Sequence, residues 1–268
     1  MPVAKADEGR TAPAGVVAVV TGAASGLGFA VARELAESGA RTVLLDRDRE
    51  AVLRAAESLC GESLGIACDV ADEQAVAAAA LEVDSTCGRC GILVNNAAIY
   101  RRAPLAGHPV ELWDAIVSVN LRGYFLCTRA FGEAMLSAGA GVIVNISSIA
   151  AHAPTPDAVA YCASKAGVLA LTRQTAVEWG PSGIRANAVS PAFMNTSMSV
   201  ARYAEDPVLA RSRARRVPVG RVAEVEEVAR VVSFLAGPDA AYVNGAELIV
   251  DGGLTQTLSQ TFPRPERG

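Results

Sequence analysis

Short apolar runs alternate along the chain with longer amphipathic or alanine-rich segments. Runs of four to seven residues have the continuous apolar character of strands that are covered on both faces, at 16–20, 42–45, 64–68, 91–95, 142–147, 184–190 and 245–250. Longer segments have the pattern of helices, at 26–38, 48–59, 72–86, 109–137, 158–180 and 223–236. Strands that alternate with helices form βαβ units, whose strands run parallel. The pattern therefore predicts a doubly wound α/β fold, with a mostly parallel seven-stranded sheet and helices on both faces.

The same pattern favours a single domain over residues 14–253. The 268-residue chain is 51% hydrophobic and 19% charged, as globular proteins are. Open α/β folds reach ~250 residues as one unit. Residues 1–13 and 254–268 are predicted to be tails without secondary structure of their own. Residues 191–222 are irregular and rich in arginine, which fits either a solvated helical face or a substrate lid region.

Composition also limits the classes of partner. The net charge of −4 argues against general nucleic-acid binding, and no apolar run approaches the ~18 residues of a membrane span. Residues 1–14 lack the apolar stretch of a signal peptide. Cys87 and Cys90 form a CxxC motif without a second pair or a nearby histidine, so structural thiols are favoured over a metal or redox site. We therefore expect a cytoplasmic protein that acts on a small molecule, without a metal, a nucleic acid or a membrane.

A glycine-rich turn follows the first predicted strand. The strand at 16–20 leads into Thr21-Gly-Ala-Ala-Ser-Gly-Leu-Gly28, after which a helix begins. Glycines at 22, 26 and 28 permit a tight turn and a close approach of the backbone to a diphosphate, which the helix N-terminus attracts. The spacing is GxxxGxG, but the strand–turn–helix context predicts nucleotide binding.

Asp46 ends the second predicted strand, eighteen residues after Gly28. An acid there accepts hydrogen bonds from the adenosine ribose hydroxyls, and its charge repels a 2′-phosphate. Arg41, Arg47 and Arg49 lie close by and weaken that repulsion, but the glycine turn itself holds no basic residue. The sequence therefore predicts a preference for NAD over NADP.

Tyr161 and Lys165 stand four residues apart at the start of a predicted helix, on one face of it. The chain has two lysines, and the other, Lys5, lies in the N-terminal tail. A nearby ammonium favours the phenolate and lowers the tyrosine pKa, which suits acid–base catalysis near neutral pH. Thirteen residues before Tyr161, a predicted strand ends at Ser147 and Ser148, at the edge of the sheet where open α/β folds bind ligands.

Together these motifs make the chain similar to the short-chain dehydrogenase/reductase family over roughly residues 14–253. The matching positions are TGAASGLG at 21–28, Asp69-Val70, Asn95-Asn96-Ala97-Ala98, Asn120, Ser148, Tyr161 with Lys165, Pro191 through Thr196, and the final Tyr242–Gly245 and Val250–Gly253. The resemblance implies a single-domain Rossmann-type fold. Family members usually form homotetramers, or homodimers, through the helices at 109–137 and 158–180 and the last strand.

The resemblance also implies roles for the reacting residues. Tyr161 would be the general acid and base on the substrate oxygen, and Ser148 rather than Ser147 would hold that oxygen. Lys165 would bind the nicotinamide ribose and lower the tyrosine pKa, and Asn120 would anchor a proton-relay water. Hydride would pass directly between nicotinamide and substrate, so no metal is required.

Cofactor contacts follow from the resemblance in the same way. The implied positions are Gly22, Ser25, Gly26, Leu27, Gly28, Asp46, Asp69, Val70, Asn96, Tyr161, Lys165, Pro191, Met194 and Thr196. Two positions depart from the family pattern, because Ala98 and Ala192 stand where glycine is frequent. Each adds a methyl group beside the expected nicotinamide, and each would be strained if its φ were positive.

Substrate recognition is assigned to the loops after strands four to six. The candidates there are Tyr100, Arg101, Arg102, His152, Asp157, Phe193 and Tyr203, of which we select Arg101, His152, Phe193 and Tyr203. These polar groups favour a hydroxylated small molecule, such as a polyol, a sugar acid or a hydroxy acid. The predicted function is NAD-dependent oxidation of a secondary alcohol, or the reverse reduction. The alternatives are a 3-oxoacyl thioester reductase of the same family and a catalytically silent NAD(H)-binding sensor or scaffold.

Overall fold

The computed structural model of the protein describes residues 15–196 and 205–261. The strands are β1 (Val17–Thr21), β2 (Arg41–Asp46), β3 (Leu64–Ala67), β4 (Cys90–Asn95), β5 (Gly141–Ile146), β6 (Ile184–Pro191), β7 (Met194–Asn195), β8 (Ala223–Glu224) and β9 (Glu247–Val250). Seven of them form one sheet in the order β3-β2-β1-β4-β5-β6-β9, in which every neighbouring pair is parallel. The strand order changes direction between β1 and β4, and the carboxyl ends of strands at such a point form a ligand crevice.

The helices lie between these strands. They are α1 (Gly26–Glu37), α2 (Arg49–Glu57), α3 (Glu73–Cys87), α4 (Val110–Val117), α5 (Gly123–Ala138), α6 (Val159–Trp179), α7 (Pro207–Arg216) and α8 (Val225–Ala236). Successive residues of a strand face opposite sides of the sheet. Ala18 and Val20 of β1 pack with α1, α2 and α8, whereas Val17 and Val19 pack with α3, α5 and α6. The prediction of a parallel seven-stranded sheet with helices on both faces is confirmed.

The predicted helix at 109–137 is interrupted in its middle. Residues Ser118–Arg122 form a π-helical turn between α4 and α5. The side chain of Asn120 in this turn is buried and forms two hydrogen bonds to the main chain of Ile99. Such bonds from outside the helix hold the wider turn in place, and π-turns of this kind are frequent at functional sites.

Two predictions of irregular structure are wrong in part. Within 191–222, β7 pairs with β8, and α7 begins at Pro207, where the carboxylate of Asp206 accepts a hydrogen bond from the Leu209 N–H. Residues 254–261 form a 3₁₀ helix, because the Asp251 carboxylate accepts hydrogen bonds from the N–H and hydroxyl of Thr255. The predicted tail at 1–13 and residues 197–204, with Tyr203, lie outside the described residues.

Candidate active site

The turn after β1 comes so close to its surroundings that two of its positions require glycine. Gly22 has a φ of +63°, and a Cβ there would lie 2.7 Å from the Cα of Ala97. A Cβ on Gly28 would lie 2.2 Å from the carbonyl oxygen of Gly22. The Asn96 amide nitrogen fastens this turn by donating to the carbonyl oxygens of Thr21 (2.9 Å) and Gly22 (3.1 Å). The turn is therefore rigid and shaped by its glycines.

The N-terminus of α1 opens onto this turn. Ser25 is the N-cap residue, and its side chain makes no capping hydrogen bond. The first N–H groups of a helix have no partner within the helix, so they are available to an anion such as a diphosphate. Gly26 lies beside Thr196, because a Cβ on this glycine would stand 3.8 Å from the Thr196 methyl group. The segment after β6 therefore reaches the glycine turn.

Asp46 lies at the edge of a cavity next to the turn. One of its carboxylate oxygens accepts a hydrogen bond from the Ala24 N–H (3.2 Å), and the other accepts one from the Asp48 N–H (3.1 Å). These bonds fix the carboxylate without a cationic partner. The cavity brings together several predicted cofactor residues and is lined by Gly22, Asp46, Arg47, Cys68, Asp69, Val70, Ala97, Ala98, Ile99 and Val119.

A second cavity adjoins the first, since Ala98 lines both. It brings together three of the four predicted reacting residues, all but Asn120, with four further predicted cofactor residues, Leu27, Asn96, Pro191 and Met194. Its lining is Leu27, Asn96, Ala98, Ile146, Ser147, Ser148, Tyr161, Lys165, Pro191, Ala192 and Met194. The fold therefore places the predicted nucleotide turn and the predicted tyrosine and lysine along one continuous crevice at the carboxyl ends of the strands.

Lys165 is buried, with only 1% of its surface accessible. Its Nζ donates hydrogen bonds to the carbonyl oxygen of Ile146 (2.8 Å) and to the hydroxyl of Tyr124 (3.1 Å). Burial disfavours the charged form and lowers the pKa of Lys165 to about 7. The sequence analysis missed Tyr124, which holds the lysine and itself donates to the Ile146 carbonyl.

The pKa of Tyr161 is shifted in the opposite direction to the one predicted from the sequence. Burial raises the pKa of its phenol, and the hydrogen bond with Ser148 opposes that shift. The predicted lowering of the Tyr161 pKa by Lys165 is not found. The physical reason is that Nζ is directed to Ile146 and Tyr124 and lies 5.8 Å from the centroid of the Tyr161 ring.

Neighbouring serines make different contacts at the end of β5. The Ser147 hydroxyl donates to the main-chain carbonyl of Lys165 at 2.9 Å, so it fastens α6 to the sheet. Ser148 instead forms the hydrogen bond to the Tyr161 phenol and lines the second cavity. The geometry favours Ser148 over Ser147 as the residue that contacts a substrate oxygen.

Of the predicted substrate residues that the structure describes, Arg101, His152 and Phe193, none lines either of these two cavities. Arg101 is exposed and donates to the carbonyl oxygen of Tyr100. The imidazole Nε2 of His152 is paired with the Glu247 carboxylate at 2.7 Å. Phe193 lies under the guanidinium of Arg213, 4.7 Å from the ring centroid.

Ala98 and Ala192, which stand where the family often has glycine, have no backbone strain. Among residues 15–196 and 205–261, Asp157 is the only non-glycine residue with a positive φ, so neither Ala98 nor Ala192 has one. The expected backbone strain is therefore absent, and their methyl groups line the second cavity.

The cysteines are free thiols. Burial raises the pKa of Cys68 to about 11 and that of Cys90 to about 12, so these thiols stay protonated and weakly nucleophilic at neutral pH. In the part of the chain that the structure describes, no three His, Cys, Asp or Glu side chains form a metal-binding group. None of the described helices is long and apolar enough to cross a membrane.

Comparison with known proteins agrees with this site. The family model described as "Enoyl-(Acyl carrier protein) reductase" matches residues 22–255. D-threitol dehydrogenase of Mycolicibacterium smegmatis is 43% identical over 90% of this chain and 93% of its own. Galactitol 2-dehydrogenase of Cereibacter sphaeroides is 41% identical over 90% of this chain and 95% of its own. A gluconate 5-dehydrogenase structure from Burkholderia cenocepacia, in complex with NADP and tartrate, has a TM-score of 0.86 and 36% identity over 92% of this chain and 98% of its own.

A parallel doubly wound sheet, with a glycine turn and a tyrosine–lysine pair in the crevice, defines a dinucleotide-dependent oxidoreductase. The chain belongs to the short-chain dehydrogenase/reductase family. Like other members of this family, it is a dehydrogenase or reductase that acts on CH–OH groups.

Proposed function

We propose that the protein is an NAD-preferring dehydrogenase that interconverts a secondary alcohol and a ketone on a small polar metabolite, such as a polyol, a sugar acid or a hydroxy acid. The observation that carries this proposal is the crevice in which Ser148, Tyr161 and Lys165 line one cavity and Asp46 edges the next. The relatives named for threitol, galactitol and gluconate support the substrate class.

The residues of the crevice suit a nicotinamide dinucleotide. The glycine turn and the N-terminus of α1 would hold the diphosphate, and Asp46, Asp69 and Val70 would line the adenosine half. The nicotinamide half would lie in the second cavity, beside Asn96, Pro191 and Met194, with Lys165 at its ribose. A bound dinucleotide supplies the hydride acceptor for oxidation and the hydride donor for reduction.

Tyr161 is the residue that accepts and donates the proton in the reaction. In the oxidation, the phenolate oxygen of Tyr161 accepts the proton of the substrate hydroxyl while Ser148 donates a hydrogen bond to the same substrate oxygen. Burial raises the pKa of Tyr161, and the hydrogen bond with Ser148 opposes that rise and so favours the phenolate. In the reduction, Tyr161 returns the proton to the oxygen of the new alcohol.

Substrate class is tested by turnover. Purified protein with NAD⁺ is expected to produce reduced nicotinamide with at least one member of a panel of polyols, sugar acids and hydroxy acids. The acyl alternative takes support from the description of the matching family model. It predicts instead that a 3-oxoacyl thioester with NADPH is reduced faster than any panel ketone with NADH. NADH binding in a calorimeter, without turnover in either assay, would indicate the sensor or scaffold.

Cofactor preference is tested at Asp46. We expect Asp46→Ala to raise kcat/KM for NADP⁺ relative to NAD⁺ by about tenfold to a hundredfold, because it removes a charge beside a 2′-phosphate. The measurement is kcat/KM for both cofactors at a saturating alcohol concentration. Asp48→Asn is the matched control, since it removes a charge two residues away and keeps a residue that caps α2 well. An unchanged cofactor ratio in Asp46→Ala would refute this role of the carboxylate.

We also propose that the enzyme is a homotetramer. Trp113 of α4, Phe125 of α5 and Val177 of α6 are exposed, as is Ile249 of β9, and these are the elements through which family members usually associate. Covering such apolar side chains stabilises association. Light scattering of the purified protein measures the mass directly, and a monomer would contradict the proposal.

A further inference from the structure

The loop after β4 brings a second tyrosine against Tyr161. The rings of Tyr100 and Tyr161 are perpendicular, with their centroids 5.0 Å apart. Edge-to-face pairs at this distance are attractive by about 0.5–1.5 kcal/mol beyond their burial. Tyr100 remains 45% exposed, so part of its side chain faces solvent while its ring contacts Tyr161.

This loop is fixed immediately before Tyr100. The side-chain oxygen of Asn120 accepts a hydrogen bond from the Ile99 N–H at 2.8 Å. The amide nitrogen of Asn120 donates to the Ile99 carbonyl at 3.0 Å. Both polar groups of the residue next to Tyr100 are therefore held by the buried side chain of the π-turn.

The loop is fixed again immediately after Tyr100. The Arg102 guanidinium donates to the Pro156 carbonyl (3.1 Å) and to the Asp157 carboxylate (3.2 Å). The Ala103 N–H donates to the Asp157 carbonyl at 2.9 Å. We call these contacts of Arg102 and Ala103 with Pro156 and Asp157 the entrance clamp.

Asp157 holds an unfavourable backbone conformation within the entrance clamp. Its φ of +65° lies in the left-handed region, which costs a non-glycine residue of order 1–2 kcal/mol. Such a conformation persists only when surrounding contacts maintain it. Asp157 lies two residues before α6, and Tyr161 lies in the first turn of that helix. The entrance clamp therefore connects the loop of Tyr100 to the start of the helix that carries Tyr161.

We propose that Tyr100 is a positioning residue for Tyr161, and that the entrance clamp keeps its ring packed on the catalytic ring so that the phenol stays directed at Ser148 and shielded from water. This proposal rests on the role of Tyr161 in the proposed function. The exposed side of Tyr100 forms a wall of the entrance, against which the carbon chain of a polyol or sugar acid packs.

The ionisable or polar groups that face Tyr161 come from several elements. Ser148 follows β5, Tyr100 follows β4, Tyr124 lies on α5, and Cys162 and Lys165 lie on α6 itself. Of these, Tyr100 can be truncated without removing a hydrogen bond to Ser148 or to Lys165.

The test compares Tyr100→Ala with Tyr100→Phe. Tyr100→Ala is expected to lower the pH-independent kcat at least about tenfold, because reacting groups that are misplaced by ~1 Å lose rate steeply. It also admits water to the phenol, so the apparent pKa in the kcat profile falls. Tyr100→Phe keeps the ring contact and is expected to retain kcat within about threefold and an unchanged pH profile. Arg102→Ala, which leaves Tyr100 in place, is expected to lower kcat in the same direction, with Arg54→Ala as the control for loss of an exposed arginine.

Other outcomes would overturn the proposal. If Tyr100→Ala raises KM alone, Tyr100 is a substrate wall without a positioning role. If Tyr100→Phe loses as much kcat as Tyr100→Ala, its hydroxyl acts instead of its ring. A substrate-free measurement separates this proposal from the proposed function. The absorbance titration of Tyr161, obtained by subtracting the titration of Tyr161→Phe, must shift to lower pH in Tyr100→Ala and remain unshifted in Tyr100→Phe, whatever the substrate is.

Discussion

Tyr161→Phe is expected to lower kcat by about 10²- to 10⁴-fold, the usual contribution of a positioned acid or base. The substitution removes only the phenol oxygen, which is the atom that meets Ser148 in the second cavity. The ring is retained, so its perpendicular contact with Tyr100 persists. The free energy of unfolding is expected to change by no more than about 1 kcal/mol, the net value of one hydrogen bond. Steady-state turnover, thermal unfolding and NADH binding together measure these effects.

Tyr242→Phe is the matched control, because the Tyr242 side chain is fully exposed and the same oxygen is removed there. Its kcat and unfolding temperature are expected to equal those of the wild type. The residual turnover of Tyr161→Phe is expected to lose the pH dependence that belongs to the phenol. Turnover of Tyr161→Phe within twofold of the wild type would mean that another group handles the proton.

Local spacing was sufficient to predict the parts of the site that lie on one element. The glycine turn is recognisable because the positions that approach Ala97 and the Gly22 carbonyl admit no side chain, and this restricts the sequence itself. Tyr161 and Lys165 are recognisable because one helical turn brings them to one face. The sheet followed from seven apolar runs, since strands covered on both faces leave a continuous apolar pattern.

Contacts between distant segments could not be predicted in this way. Tyr124 contacts Lys165 across 41 residues of sequence, and Glu247 pairs with His152 across 95. Neither pair has a characteristic spacing, because the packing of separate elements brings each together. The raised pKa of Tyr161 belongs to the same class, since it depends on how deeply the finished fold buries the phenol.

Some missed structure did have a local signal. Asp206 followed by Pro207 is an N-cap residue before a proline at the first helical position, which is a frequent start of a helix. Asp251 similarly precedes the turn that opens the 3₁₀ helix at Leu254–Thr261. Neither segment has the apolar periodicity of a buried helix, since exposed helices need no such pattern.

Lys165→Met is expected to abolish detectable turnover and to change how stability depends on pH. The pKa of Lys165 is lowered from 10.5 to about 7 in the folded protein, so the unfolded chain binds this proton more tightly. Lys165 therefore opposes folding most strongly at and below pH 7, and its unfavourable effect diminishes as the pH rises from 7 towards 10.5. With methionine that dependence disappears, although the Ile146 carbonyl and the Tyr124 hydroxyl lose a donor.

Urea unfolding of the wild type and Lys165→Met across this pH range measures the difference. The stability of the wild type is expected to rise relative to the variant by a few kcal/mol between pH 7 and pH 10.5, since each pKa unit corresponds to about 1.4 kcal/mol. Lys165→Arg is the control for charge alone, and a guanidinium does not reproduce the compact ammonium, so its turnover is expected to stay low. If the stabilities of wild type and Lys165→Met run parallel with pH, Lys165 does not change its proton affinity on folding. Burial of Lys165 would then not lower its pKa, and folding would carry no energetic cost for placing this ammonium in the active site.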